Sequence, residues 1–535
     1  MPMNREDLLD KLINSIKERN GKPVNLRVVA ATIESLGIRD VDIVNDYGFD
    51  SIFDIAEYIF NLLNQQSELK NKYQKAADVK NLQKISLNAY TSVKQKMFVK
   101  EYSTGIFHLF PVFLQVISII IFGISLWTYT GFNNLQSTAV VLGVIIGLVT
   151  TGGFVQVIGK QVSFYWYNED YLMTRRTTQK ILITGIKSLV VTFLIIAGLN
   201  FFIHLYPYQF VLIVFIYSFL IGVLLLVLSP LYTIKQRWVI SVAIVAGTAI
   251  TLSLYFFTAI SIYFVHWIGI VISIAISSTY LHYFFKKTIT TKKGLYNATP
   301  KMMLSVYRSF NYFFYGILIY AFIFTDRILA WSSTLNRNLP YVVYYEKDYE
   351  IGMDLAILVF FLLAGVLEYS IASFSRNMDY WQRKLKYNKI ELFNVNMKKL
   401  YFKHLRLFFI SALVIGILLY GIITKPWGYQ AGFDENLSAV SINVCLIGSF
   451  GYLFFTLGML NVLYLYTLNQ HKKPLIGILI AFFINLFVGI LLSRTVSYEY
   501  SSIGMLIGSL FFMLYTTKTT IAYFKNLDYY FYAAY

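Results

Sequence analysis

The chain has 535 residues, of which 57% are hydrophobic, 18% aromatic and only 14% charged, with a net charge of +18. Soluble domains carry about 25% charged residues, so this composition excludes a soluble globular protein and points to a chain solvated largely by lipid. Its one cysteine, Cys445, excludes an intramolecular disulfide and lies inside an apolar run, where a lone thiol is a packing residue.

Residues 1–104 are a different material, with 15 basic and 14 acidic residues and apolar side chains at helical spacing. Leu8, Leu9, Leu12, Ile13 and Ile16 mark one amphipathic helix; Val28, Val29, Ile33 and Leu36 mark a second. The run "GFDSIFDIAEYIFNLLNQ" predicts a third, with Asp50 or Ser51 as N-cap and Ile52, Ile55, Ile59 and Leu62 or Leu63 on one face. "GFDSI" resembles the Asp-Ser-Leu signature at which acyl carrier proteins are modified. The match covers only a few residues and the surrounding helix spacing fits poorly, so the N-cap is the preferred reading for Ser51. The segment reads as a small cytoplasmic helical module (1–66) for docking or regulation, then a Lys-rich tether (67–104). With no apolar stretch behind its first charges it is not a signal peptide, and the first spanning helix is expected to direct insertion.

Twelve continuous apolar runs follow, near 105–130, 138–159, 181–204, 208–232, 238–257, 260–285, 304–330, 351–375, 405–425, 438–467, 473–493 and 501–520. Each is long enough to cross the hydrocarbon core of about 30 Å as a helix. Their unbroken apolarity, without strand-like alternation, favours helices over a barrel. Alternate loops hold 22 basic residues, against about five on the opposite side. This asymmetry places both termini in the cytoplasm of a multi-pass protein of the cytoplasmic (inner) membrane. It also accounts for the net charge without nucleic acid. The fold class is therefore all-α and polytopic, with about twelve transmembrane helices in two six-helix lobes. A basic loop at 286–303 divides lobe 105–285 from lobe 304–535, the layout of two-lobed transporters. No internal sequence repeat is visible, and the symmetry rests on the helix count.

Polar groups inside these runs narrow the functional question. A charge at a helix centre costs about 2.5–3.5 kcal/mol on insertion scales and faces protein or water. Arg308 opens span seven, where it can snorkel to the interface. Asp326 and Arg327 close that span on the outer side, either snorkelling or lining a vestibule. Trp331, Tyr341, Tyr344, Tyr345 and Tyr349 follow, as an interfacial aromatic belt or a surface for stacking sugar rings. On span eight, Asp354 and Glu368 are about 40° apart around the helix and about 21 Å apart along it. Asp354 is near the outer end, whereas Glu368 is embedded in "LLAGVLEYSIASF". Gln115, Gln156, Asn200, His266, Asn443, Asn461 and Asn485 are polar side chains in helix interiors, where interhelical hydrogen bonds are worth about 1 kcal/mol. Pro111 predicts a bend in span one and "TTGG" (150–153) close packing of span two. The candidate substrate-pathway residues are Asp326, Arg327, Trp331, Asp354, Glu368, Gln115, Gln156 and Arg308. There is no His/Cys metal cluster, glycine-rich phosphate loop or Walker lysine, and the six histidines are scattered. No enzyme, catalytic residue, metal or cofactor is expected.

The stretch "FIFTDRILAWSS", an outer loop, and "YEKDYEIGMDLAILVFFLLAGVLEYSIASFSRNMDYW" resemble the PelG-like family of exopolysaccharide transporters, within the twelve-helix MATE/Wzx-type (MOP) flippase superfamily. Asp326, Arg327, Trp331, Asp348 with Tyr349, and Glu368 match family positions, and Pro111 falls where the family has Gly-Pro. The chain departs from the pattern in having Arg at 327 for Lys, the order Asp348-Tyr349 reversed, and Phe110 before the proline. The resemblance implies an inner-membrane exporter of a Pel-like, cationic amino-sugar polymer. The partners it implies are a polysaccharide or lipid-linked saccharide, membrane lipids, other exopolysaccharide-synthesis membrane proteins and a cytoplasmic glycosyltransferase. A lipid-linked oligosaccharide flippase is the runner-up, followed by a membrane-embedded glycan-modifying enzyme and an assembly scaffold.

Overall fold

The computed structural model describes all residues except 1–4, 21–24, 64–95, 98, 104–109, 292–301, 336, 385–389, 434 and 535. The chain divides into two compact units: one formed by residues 1–101, 369–406 and 521–535, the other by 102–368 and 407–520.

In the first unit, the N-terminal module has three longer helices, α1 (Arg5–Asn20), α2 (Leu26–Ser35) and α3 (52–63), with a short helical turn over 40–47 between the last two. Their apolar faces meet in one core, with Ile16, Val29, Ile33, Ile55 and Ile59 buried beside Ile43 of the turn. Asn25 caps α2 by accepting from the Val28 N–H at 3.1 Å. Ser51 caps α3: its Oγ accepts from the Asp54 N–H at 3.2 Å and donates to Asp54 Oδ2 at 2.8 Å, which satisfies a backbone donor the helix leaves open. Most of the expected tether, 67–95, lies outside the described residues. In the rest of this unit Tyr401 and Phe374 pack on Phe524, His404 bonds Ser373, and Arg376 pairs with Glu101 at 2.6 Å.

The second unit is the membrane body. Its helices, several of which run beyond it, are α4 (Phe110–Phe122), α5 (Asn134–Tyr167), α6 (Tyr171–Ile203), α7 (Tyr208–Thr233), α8 (Arg237–Phe257), α9 (Ile262–Thr291), α10 (Met302–Trp331), α11 (Lys347–Lys384), α12 (Ile390–Thr424), α13 (Ala439–Thr467), α14 (Lys472–Thr495) and α15 (Ser501–Lys525). Eleven of them are long and apolar enough to cross a membrane; α4 is a shorter apolar helix. Among the described residues there is no strand, only an isolated bridge between Ile124 and Tyr129.

That bridge corrects the expected extent of span one. The helix stops at Phe122, and Gly123 turns the chain with φ +68°. Leu126 then tucks in, fully buried, against the close Gly247–Gly269 contact of α8 and α9, with its N–H donating to Gln115 Oε1 at 2.8 Å. Ile124, Ser125 and Leu126 are covered by protein rather than crossing lipid. The bend expected at Pro111 depends on residues 104–109, outside the described residues.

Small residues set the closest helix approach in the membrane body. Gly143 and Gly147 of α5 lie on the Val214–Gly222 stretch of α7, and Gly152 and Gly153 lie on Phe313, Gly316 and Tyr320 of α10. A Cβ at Gly152 would stand 2.7 Å from the Gly316 carbonyl oxygen, so the "TTGG" motif joins the first six helices to the last six.

Candidate functional site

The end of α10 and the start of α11 bring together three carboxylates and one guanidinium. Asp326 and Arg327 occupy the last two turns of α10, while Glu350 and Asp354, four residues apart, share a face of α11. Asp326, Arg327 and Glu350 are all buried. Arg327 Nη1 donates to the Glu350 carboxylate and lies 3.3 Å from Asp354 Oδ1. The Tyr349 hydroxyl donates to Asp326 Oδ2 at 2.7 Å and itself accepts from Ser501 Oγ of α15 at 3.0 Å. Tyr452 of α13 is buried in the same neighbourhood as Arg327.

This geometry removes the snorkelling reading of Asp326 and Arg327, because both are enclosed and bonded to α11. Asp354 differs: its side chain is 63% exposed although its partner Arg327 is only 5% exposed. One carboxylate thus keeps open surface beside a cluster whose other members are covered. With all groups ionised, three acids would face one arginine. Asp326 Oδ1 and Glu350 Oε2 are buried without a hydrogen-bond partner, a costly state for an anion. The arrangement has spare acceptors for a proton or for a donor-rich cationic group. Among the described residues, no group of three or more His, Cys, Asp or Glu side chains could hold a metal ion.

The other candidates fall elsewhere. Trp331 is fully buried, its ring 5.4 Å from that of Tyr345. Glu368 pairs with Arg237 Nη1 of α8 at 3.0 Å, so Asp354 and Glu368 share a helix without sharing a site. Arg308 lies 4.6 Å over the Phe164 ring of α5. Gln156 abuts Gly316 at the α5–α10 contact. The Gln115 amide is taken up by Thr248 Oγ1 at 2.9 Å and the Leu126 N–H.

Sequence reasoning missed Glu350, Ser501, Tyr452 and Arg237. Only Glu350 left a local signal, its four-residue spacing from Asp354. At the loop rim, Arg337 pairs with Glu346 and lies over the Tyr498 ring at 4.4 Å. Burial nonetheless lifts the Glu346 carboxyl above its ordinary range, with Arg337 opposing that rise.

No protein-family profile and no curated protein matches the sequence. In fold, the chain is similar to solved transporters. A crystal structure of MATE in complex with MaD3S shares 12% identity over 81% of this chain and 97% of that one, with a TM-score of 0.57. An outward-facing multidrug resistance MATE family transporter of the MOP superfamily shares 12% over 81% and 96%, at a TM-score of 0.53. A MOP superfamily transporter from Pyrococcus furiosus Vc1 (DSM3638), described for the reverse polarity of its binding pocket, gives the same three coverage and identity values and a TM-score of 0.53. At this identity the likeness shows the fold alone, an all-helical arrangement like that of these proteins, with eleven helices long and apolar enough to cross a membrane among the described residues.

Proposed function

We propose that the chain exports a polysaccharide, a Pel-like cationic amino-sugar polymer, by a path between its first six and last six helices. The observation that carries this reading is the buried Asp326–Arg327–Glu350 cluster with the open carboxylate of Asp354 beside it, inside a transporter fold. A scaffold gains nothing from burying an excess of carboxylates, whereas a transporter uses such groups to take up a cation, a proton or a charged substrate. Acidic side chains complement amino-sugar cations, and the sequence resemblance that suggests a glycan covers this same α10–α11 region. A lipid-linked oligosaccharide, with an anionic linkage, suits the cluster less well. For the Pyrococcus furiosus transporter, the reverse polarity of the binding pocket suggests a different function; in this chain the excess charge of the cluster is acidic.

The setting that goes with this function is the inner membrane with both termini cytoplasmic, and with the N-terminal module (1–66) as a docking site for a cytoplasmic glycosyltransferase or other synthesis proteins. The lobes would be 105–285 and 304–535. The test is secreted polysaccharide in cells carrying Asp326→Asn or Glu350→Gln, with membrane protein matched by blot. Loss of secreted glycan at normal abundance is expected; undiminished export in both variants refutes the reading.

A further inference from the structure

Polar contacts between the first six helices (α4–α9) and the last six (α10–α15) gather at two ends of the bundle. At the end that bears the basic loops, Gln161 Nε2 of α5 donates to Ser309 Oγ of α10 at 2.6 Å. Lys160 Nζ bonds Asn469 Oδ1 at 3.1 Å, and Arg308 covers Phe164. Arg237 at the start of α8 pairs with Glu368 of α11 and stacks 4.5 Å over Tyr232. At the opposite end, the Tyr206 hydroxyl donates to the Val343 carbonyl at 2.7 Å and accepts the Val343 N–H, while the Tyr345 N–H donates to Thr138 Oγ1 at 2.9 Å. Between these ends the two sets of helices meet at Gly152, Gly153 and Gly316, where backbones touch.

A contact of bare backbones flanked by bonds at either end has the geometry of a pivot between two clasps. Rocking about the glycines lengthens one set of bonds as it relieves the other. Within the clasp at the basic end, the Arg237–Glu368 pair is suited to repeated breaking. Its side chains are 21% and 33% exposed, so water can replace either partner when they part, and net strength is modest. The Arg327–Glu350 pair, by contrast, is closed to water and lies wholly within the last six helices.

We propose that Arg237–Glu368 is a latch that holds the basic-loop end shut and releases once in each transport cycle. The inference rests on the transporter reading above for the cycle, but the latch is observable without any substrate. Because Cys445 is the only native thiol, Cys445→Ala gives a background for single reporter cysteines. Leu468→Cys reports the basic end and Ala139→Cys the opposite end; both positions are buried, and neither side chain makes a clasp bond. Maleimide labelling is followed in detergent-purified full-length protein.

Glu368→Gln and Arg237→Gln are each expected to raise the labelling rate at Leu468→Cys by roughly five-fold and to lower it at Ala139→Cys. The exchange Arg237→Glu with Glu368→Arg restores the starting rates and shows that the fold tolerates change at both positions. Unchanged labelling in both single variants overturns the latch. So does a rise at both ends together, which reports loosening of the bundle rather than rocking. Failure of the glycan-export test with opposite labelling shifts intact would sink the substrate reading and leave the latch standing.

Discussion

Replacing Arg327 by methionine leaves the Glu350 carboxylate, 6% exposed, in the bundle without its cation, and takes from Asp354 a neighbour at 3.3 Å. Removing one partner of a buried ion pair costs about 3–5 kcal/mol, because the remaining charge is uncompensated. Replacing both partners by apolar residues of similar volume is often neutral. Arg327→Met should therefore be strongly destabilising, whereas Arg327→Met with Glu350→Met should recover most of the loss, giving a coupling energy of about 2 kcal/mol or more in a double-mutant cycle. Cys445 supplies the assay: it is fully buried in α13, so a thiol-reactive dye becomes fluorescent only as this helix set unfolds. Midpoints for wild type, the two single variants and the double variant close the cycle. Additive losses, with the double variant worse than Arg327→Met alone, would refute the argument that the two groups are held by each other.

Tyr349→Phe removes the donor that Asp326 accepts at 2.7 Å; a loss of about 1–3 kcal/mol is expected in the same dye assay, since a buried acceptor is left unsatisfied. Ser51→Ala deletes the N-cap of α3 and should cost the module about 1 kcal/mol, read as faster hydrogen exchange in the first turn of α3 with exchange in α10 unchanged. Gly152→Val forces apart the α5–α10 contact, where even a Cβ meets the Gly316 carbonyl oxygen at 2.7 Å; a drop of several degrees in the unfolding midpoint is expected, and wild-type stability would show that the backbones need not touch.

The long apolar runs were legible because lipid imposes one requirement on every residue of a spanning helix. The same rule misled at 124–130, where Leu126 is apolar for burial beneath two glycines, a tertiary fact with no periodic trace. Ser51 and the three amphipathic helices of the module could be read because caps and faces are local. The costly Asp326–Arg327 pair was visible, but its partner was not. Glu350 stands 23 residues away at a loop–helix junction, where an acidic residue is commonplace. Glu368 was singled out for its depth, while Arg237, 131 residues distant, was counted only as a loop charge. Charge partners across a fold leave no spacing to read.

α11 runs for 38 residues, about 57 Å at 1.5 Å each, with no proline in its sequence. At Asp354 it touches the guanidinium of Arg327; fourteen residues along, Glu368 grips Arg237. Between these two carboxylates the helix is unbroken. A rigid turn or slide of the stretch 354–368 would carry both carboxylates through the same angle and displacement, so any such motion acts on both charge pairs at once without a chain of hydrogen bonds between them.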